Sequence, residues 1–579
     1  MAKGRSQGVE RPLSEEAYGA GLHAVLWLAL LTLLAYVNVT ANKFVLDDKF
    51  FLVENYALRQ PLLLFSPWFK AIPLVVRPAM FLSLALDYRV WGLDPAGFHL
   101  TNLLLHLLNV LLVYGVALRL PGGRFFAPLA GLLFALHPVH SEAVAAMVGR
   151  SDLMVTMFSL VGLLAYQRFI EDKGLLRRGL FFLLTLLSYG AACLTKENGI
   201  VLPLLLVISE NLLWKVKDRG RGLRAQALSI VPFLVVGALY IGFRQMAVPP
   251  SEQTVWGGGA WQTALLMMMV LWKYLVLLVF PFPLSPYYIS YWPVGWGYAE
   301  VLGGLLVLLG GVFVAFRYTR RFPLLSWAVA WIGISLLPVS NIIPIPGAMM
   351  AERWLYPPSV GFCVFMAWGV SALLARSHAI PRRILIAFGF IILTLFTIRI
   401  VTWNPVWRDE RSLNQVVLRE HPESVLARVN MGNYFYLAGR YCEAKQQYLL
   451  AFRLNPRSAE VHHNLGNVLC AEAETQKGME EFRRSLALDS SFVPARVALG
   501  TAYQVQGILD TALVQYQSAL KLDPLNVPAL NNSGIIYLEK EEYQHAEESF
   551  RRALFITPDD SLLKANFSRA LRLRTGQMR

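Results

Sequence analysis

Charge is scarce in this chain of 579 residues: Asp, Glu, Lys and Arg make up 16%, against 56% hydrophobic residues. So little charge excludes an ordinary soluble domain and predicts many membrane-spanning helices. Cysteine is also rare, and the four present, Cys193, Cys363, Cys442 and Cys470, have neither metal-binding nor redox spacing. They read as packing residues. The first apolar stretch, 22–39, is followed by no small-residue cleavage site, so it reads as a retained first span and not a removed signal. No Gly-rich phosphate loop is recognisable, and nothing in the chain requires a nucleotide sugar.

What is there is unevenly spread. Residues 1–403 are apolar and broken by short basic loops, whereas 404–579 carry mixed charge and helical periodicity. The reading is all-α: a polytopic membrane helix bundle followed by a C-terminal tetratricopeptide solenoid. Its parts are a cytoplasmic tail 1–21, a membrane domain 22–403, a linker 404–424, four repeats over 425–560 and a basic capping helix 561–579. The net charge of +15 is concentrated between apolar spans, where it sets orientation, so no nucleic-acid partner is expected.

Eleven spans of roughly the ~20 residues a bilayer requires are expected near 22–39, 100–118, 126–147, 153–170, 179–195, 199–214, 226–246, 299–316, 324–340, 355–375 and 384–402. Basic residues fall in alternate loops: Arg119 and Arg124; Arg168 to Arg178; Lys215 to Arg224; Arg317 to Arg321; Arg376 to Arg383. The positive-inside rule makes these loops cytoplasmic. The alternation holds if 265–280, closed by Pro281 and Pro283 and followed by Tyr287, Tyr288, Tyr291 and Trp292, is re-entrant or interfacial. The carboxy-terminal domain then lies outside, in a periplasm or a lumen. A full crossing there would put it in the cytosol.

In the soluble half, Gly432, Gly466, Gly500 and Gly534 recur every 34 residues, as do Tyr448, Phe482, Tyr516 and Phe550. With small residues at Ala451, Ser485, Ala519 and Ala553, this period is that of tetratricopeptide repeats, placed at 425–458, 459–492, 493–526 and 527–560. The second repeat departs, with Ser490 in place of Pro and Gly478 where its sisters have Ala444, Ala512 and Ala546. Asn430, Asn464 and Asn532 share one repeat position, where amides can hold a peptide backbone or simply serve the repeat's own packing.

Polar clusters gather at span ends expected to face one side: Asp47-Asp48, His99 with Asn102, His137 to Glu142, Arg150 to Asp152, Lys196-Glu197 and Glu352-Arg353. Ionisable groups at membrane depth are costly, so their convergence predicts a pocket. In the pair Asp47-Asp48 a carboxylate can act as general base for an acceptor hydroxyl, and its neighbour can raise its pKa or help bind a divalent cation. His99, Asn102, His106 and Asn109 form a polar stripe on one helix face, either lining the pocket or bonding between helices. His137 and His140 could share a metal, but no third ligand is evident. Arg150, Lys196 and Arg353 can neutralise a lipid phosphate, while Asp152, Glu197 and Glu352 can hold these cations as ion pairs.

Leu46-Asp47-Asp48, Arg77-Pro78, Phe98 to Asn102, His137 to Glu142, Gly149 to Asp152, Lys196-Glu197 and Glu352 to Tyr356 together resemble the transmembrane and tetratricopeptide-repeat O-mannosyltransferases and their bacterial relatives. The resemblance covers nearly the whole chain. It implies a C-type glycosyltransferase fold, a polyprenyl- or dolichyl-phosphate sugar donor, and transfer of mannose to Ser or Thr of acceptor proteins on the non-cytoplasmic face, in a bacterial inner membrane or the endoplasmic reticulum. Carried onto this chain, it makes Asp47 the general base and Asp48 its partner, with Arg353 and Arg150 or Lys196 stabilising the leaving phosphate. The alternatives are a lipid-linked oligosaccharide ligase or polymerase and a non-enzymatic repeat scaffold anchored in the membrane.

Overall fold

The computed structural model describes residues 15–53, 55, 58, 77–214, 223–247, 259–288, 298–342 and 348–576. The basic residues Lys215, Lys217, Arg219 and Arg221 and the aromatics Tyr291 and Trp292 lie outside that set, as does most of the amino-terminal tail. The described residues contain helices and no strand.

The first part runs α1 (Glu15–Tyr36), α2 (Pro78–Trp91), α3 (Pro95–Leu118), α4 (Ala127–Ala135), α5 (Ser141–Ala145), α6 (Arg150–Glu171), α7 (Leu175–Thr195) and α8 (Leu202–Leu212). It continues with α9 (Leu223–Ala247), α10 (Ala260–Val279), α11 (Tyr298–Arg317), α12 (Pro323–Leu336), α13 (Tyr356–Arg376) and α14 (Ala379–Trp403). Among the described residues nine helices are long and apolar enough to cross a membrane, which makes this a multi-pass membrane protein. Eight of them coincide with expected spans.

The other three expected spans hold helices below the length of the nine, and one of them is broken. Within 126–147, α4 stops after nine residues at Ala135, and Pro138 begins a 3-10 turn that leads into α5. Proline has no N–H to continue the ladder. At 199–214 a 3-10 turn, Glu197–Val201, runs into the 11 residues of α8, and at 324–340 the 14 residues of α12 continue through a 3-10 turn to Val339, close to the expected bounds.

The ninth long helix is α10. It covers the segment expected to be re-entrant or interfacial, 265–280, as a helix of 20 residues from Ala260, with Met267 against Asn341, Tyr274 against Ala351 and Leu278 against His137. At its carboxy end the Leu278 carbonyl accepts from His137 Nε2 at 2.9 Å. The preceding helix, α9, also ends near the polar clusters, with Arg244 3.4 Å from Glu197.

The two ends of the bundle differ in character. At one end the Phe98 carbonyl near the start of α3 accepts from Arg150 at the start of α6; at the other, Arg119 just past α3 meets Glu171 at the end of α6. In the same way α7 starts where Arg178 lies over Phe169 and ends where Lys196 meets Asp152. The polar clusters gather at the first end and the basic loops at the second.

The soluble part runs α15 (Glu410–Glu420), α16 (Val425–Leu437), α17 (Tyr441–Leu454), α18 (Ala459–Ala471), α19 (Thr475–Leu488), α20 (Val493–Val505), α21 (Leu509–Leu522), α22 (Val527–Glu539), α23 (Tyr543–Ile556) and α24 (Ser561–Thr575). The helix pairs follow the expected repeat boundaries. The span expected to be a linker, 404–424, is instead largely helical: α15 is capped by Asp409, whose carboxylate accepts from Ser412 N at 2.8 Å, and it packs on α16.

Each repeat glycine exists because a ring of the next helix lies against it. A Cβ at Gly432, Gly466, Gly500 or Gly534 would stand 2.3, 2.5, 2.7 or 2.6 Å from the ring of Tyr448, Phe482, Tyr516 or Phe550. The departure at Gly478 has the same kind of cause: a Cβ there would be 2.4 Å from the sulfur of Cys470.

Candidate active site

The loop after α1 turns back on itself. Leu46 takes a left-handed conformation, φ +48°, uncommon for a residue with a branched side chain. The turn is held from several sides. Val45 N donates to Asp48 Oδ2 at 3.2 Å, Val148 N donates to Asp48 Oδ1 at 3.2 Å, and Leu46 N donates to Glu410 Oε1 at 3.0 Å. Lys43 N bonds the Arg408 carbonyl at 2.8 Å and Lys49 pairs with Glu410 at 3.0 Å. The two adjacent carboxylates therefore part company. Asp48 is buried beneath the turn, and burial pushes its carboxyl up to about 7 even though backbone N–H groups of Val45 and Val148 favour the charged form. Asp47 stays exposed and lines a cavity of about 590 Å³.

Arg353 lies on the same cavity, close enough to Asp47 for their charges to interact. It is clamped twice by the buried Glu142: its guanidinium pairs with Oε1, and its backbone N–H donates to Oε2 at 2.9 Å. This contact joins the His-Pro-Val-His-Ser-Glu segment to the Glu-Arg-Trp-Leu-Tyr segment. Glu352, beside it, turns the other way and accepts from Ser285 N at 2.7 Å and from the Tyr288 hydroxyl at 2.8 Å.

Two more cations follow. Lys196 gives two donors to Asp152, at 2.6 and 2.7 Å, and interacts with the charges of Arg77 and Arg353. Burial lowers its pKa while Asp152 works against that. Glu197 sits between Arg77 at 3.1 Å and Arg244 at 3.4 Å. Burial alone would raise its carboxyl, but Arg77, Arg244 and Lys196 hold it at about 2.

Arg150 has a different setting from Arg353. It is fully buried, with Nε on Asn102 at 2.7 Å, Nη1 on Asp87 at 2.5 Å and on Ser83 at 3.3 Å, and Nη2 on the Phe98 carbonyl at 2.8 Å. Asn102 in turn donates to the carbonyls of Val144 and Ala146. These bonds engage every nitrogen of the guanidinium and tie α2, α3 and α6 to the backbone around α5.

The histidines are buried among protein partners. His99 packs against the backbone of Asn42 and Lys43; His137 bonds Leu278 O and receives Val139 N; His140 bonds Ser359 Oγ at 2.8 Å. His106 meets the Tyr356 hydroxyl at 2.8 Å, and Asn109 donates to Leu153 O at 2.9 Å, so the deeper part of the stripe bonds between helices. Among the described residues no group of three His, Cys, Asp or Glu is placed to hold a metal ion.

The remaining wall of the cavity comes from the soluble part. Trp407, Glu410 and one face of α16, with Leu426, Asn430, Asn433, Tyr434 and Leu437, line it. Of the three asparagines at the shared repeat position, Asn430 alone reaches this cavity among its lining residues. Asn464 is buried, and Asn532 donates to Tyr516 and Thr501. No motif in the sequence points to Glu410, Asn433 or Tyr434. Asp87 and Arg244 lie inside apolar helices, where a charge is itself the signal.

Residues 80–247 match the dolichyl-phosphate-mannose-protein mannosyltransferase family, and 497–561 match a tetratricopeptide repeat family. The chain is 27% identical over 449 residues to protein O-mannosyl-transferase TMTC1 of Homo sapiens, covering 69% of this chain and 50% of that protein. It is 28% identical to protein O-mannosyl-transferase TMTC4 of Homo sapiens, covering 64% and 57%. For protein O-mannosyl-transferase Tmtc3 of Drosophila melanogaster the identity is 25%, covering 93% and 66%. The chain thus spans about half to two thirds of the length of these relatives. Among solved structures, MamA is similar at 23% identity, with a TM-score of 0.23 and coverage of 26% of this chain and 89% of that one. The chain joins a domain of the protein mannosyltransferase family to tetratricopeptide repeats, and its curated relatives are protein O-mannosyl-transferases.

Proposed function

We propose that this protein transfers one mannosyl unit from a polyprenyl- or dolichyl-phosphate donor to a Ser or Thr hydroxyl of an acceptor protein on the non-cytoplasmic face of its membrane. The observation that carries this reading is the cavity with Asp47 and Arg353 in its walls at the end of the bundle away from the basic loops. By the positive-inside rule that end is non-cytoplasmic. Asp47 is the general base: it takes the hydroxyl proton as the oxygen attacks the anomeric carbon. The bond from that carbon to the phosphate oxygen breaks, the anomeric centre inverts, and the lipid phosphate leaves as an anion.

Arg353 meets the developing charge, with Lys196 and Arg77 behind it, because a guanidinium and an ammonium held in place need no reorganisation at the moment of transfer. Glu142, Asp152 and Glu197 keep these like charges side by side in the absence of donor. Arg150, with every nitrogen engaged, is assigned to the scaffold. Asp48 is assigned to holding the turn that presents Asp47. The comparison supports the donor class through the matched family's description.

The reading is tested by incubating the purified chain in detergent or nanodiscs with labelled polyprenyl- and dolichyl-phosphate sugars and acceptor proteins. Transfer of single mannose residues to Ser or Thr is expected. Transfer of a whole glycan, or none from any donor by folded protein, overturns it.

A further inference from the structure

The cavity holds the base but only part of its wall belongs to the membrane domain. The opposite contribution is one stripe of α16: Leu426, Asn430, Asn433 and Leu437 follow at four, three and four residues, with Tyr434 beside them. Residues at that spacing share a helix face. The stripe runs about 16 Å from Leu426 to Leu437 at 1.5 Å per residue, the length of about five residues of extended chain.

The polar groups at its centre have fixed orientations. Glu410 accepts from Asn414 Nδ2 through its carbonyl at 2.7 Å and its carboxylate at 3.2 Å, so Asn414 Oδ1 faces Asn430 and takes the Asn430 Nδ2 at 3.5 Å. That leaves Asn430 Oδ1 as an acceptor. Asn433 Oδ1 receives the Tyr448 hydroxyl at 2.6 Å, which leaves its Nδ2 as a donor. An acceptor and a donor three residues apart match the alternating N–H and C=O of an extended backbone. The ends of the stripe are apolar and open: Leu426 is 40% exposed and Leu437 is 78% exposed.

We infer that α16 of the first repeat is the acceptor subsite: it binds about five residues of extended acceptor polypeptide, backbone on Asn430 and Asn433, apolar side chains on Leu426 and Leu437, with the reacting hydroxyl turned to Asp47. This rests on the transferase reading above. It places sequence selection in the first repeat, where the hydroxyl must lie to react, and not along the whole array. The peptide would prefer apolar residues on both sides of the Ser or Thr.

The test uses the full-length protein with synthetic Ser peptides. In Leu437→Glu and Asn433→Ala the KM for a peptide with Leu on both sides of Ser is expected to rise about tenfold. For a peptide with Gly in place of the leucines, wild type and Leu437→Glu should have similar KM. Unchanged peptide KM in both variants overturns the inference. A photoreactive benzoylphenylalanine in place of Leu437, an exposed position whose substitution spares the fold, should capture the Leu-flanked peptide; no capture overturns it as well. The two readings fail separately: a wild type that transfers no sugar defeats the transferase reading, while peptide capture still decides the subsite.

Discussion

The repeat array and the membrane bundle use the same residue types under opposite constraints. In the array each ring fills the space left by a glycine in the preceding helix of its own repeat, so packing partners recur at a fixed short interval. In the bundle the partners that make the site are remote: Leu46 bonds Glu410 across 364 residues and Arg353 bonds Glu142 across 211. Local pairing makes a structure periodic and hence legible. Remote pairing makes two identical residue types, such as Arg150 and Arg353, serve unlike ends.

The largest effect expected from that contrast is at Arg150. Arg150→Met leaves Asp87 buried without its cation, and loss of one partner of a buried pair costs about 3–5 kcal/mol. The variant should unfold well below wild type in a detergent thermal melt. A variant that melts like wild type yet transfers no sugar would move Arg150 from the scaffold to the substrate.

Next comes the acidic pair. Asp48 has a folded-state pKa of about 7, raised by burial above the ordinary carboxylate value of 3.8. The folded state then holds a proton that the unfolded chain has released, so this group's contribution is full below about pH 4 and is lost as pH rises through about 7. The melting temperature of wild type should fall over that window relative to Asp48→Asn, which lacks the titration. A constant difference between the two across pH 4 to 7 would show that Asp48 does not titrate there.

The smallest effect sharpens the other half. Gly478→Ala places a methyl against the Cys470 sulfur and should destabilise the array by about 1–3 kcal/mol, as overpacking does. Combining it with Cys470→Ala, which removes the sulfur but leaves the Gly466 carbonyl 2.9 Å from the new methyl, should restore part of the loss in a chemical denaturation series. Additive effects would mean the two sites do not meet.

The sequence was informative in proportion to how local the cause was. The repeats and their boundaries followed from the 34-residue period, and eight long spans from hydropathy alone. The break inside 126–147 was not read, because hydropathy averages over Pro138. The linker at 404–424 proved to contain α15, whose cap residue Asp409 was a local signal left unread. At the site, the sequence pointed to Asp47, Glu142, Arg353, Lys196 and Glu197, but only the family resemblance, and no local signal, separated Asp47 from Asp48. That separation is made by the positive φ of Leu46 and by Val148, 100 residues away. Glu410, which ties the turn to the repeats, belongs to a stretch with no membrane character at all.

The central claim is that Asp47 is the base and Asp48 the support of its turn. The most direct test is the single-turnover rate of labelled mannose transfer by wild type, Asp47→Asn and Asp48→Asn, each shown to be folded and to bind donor. The account predicts that Asp47→Asn loses transfer by a factor of about a hundred or more, with donor binding retained, while Asp48→Asn keeps measurable transfer. Full transfer by Asp47→Asn, or loss confined to Asp48→Asn, would contradict it.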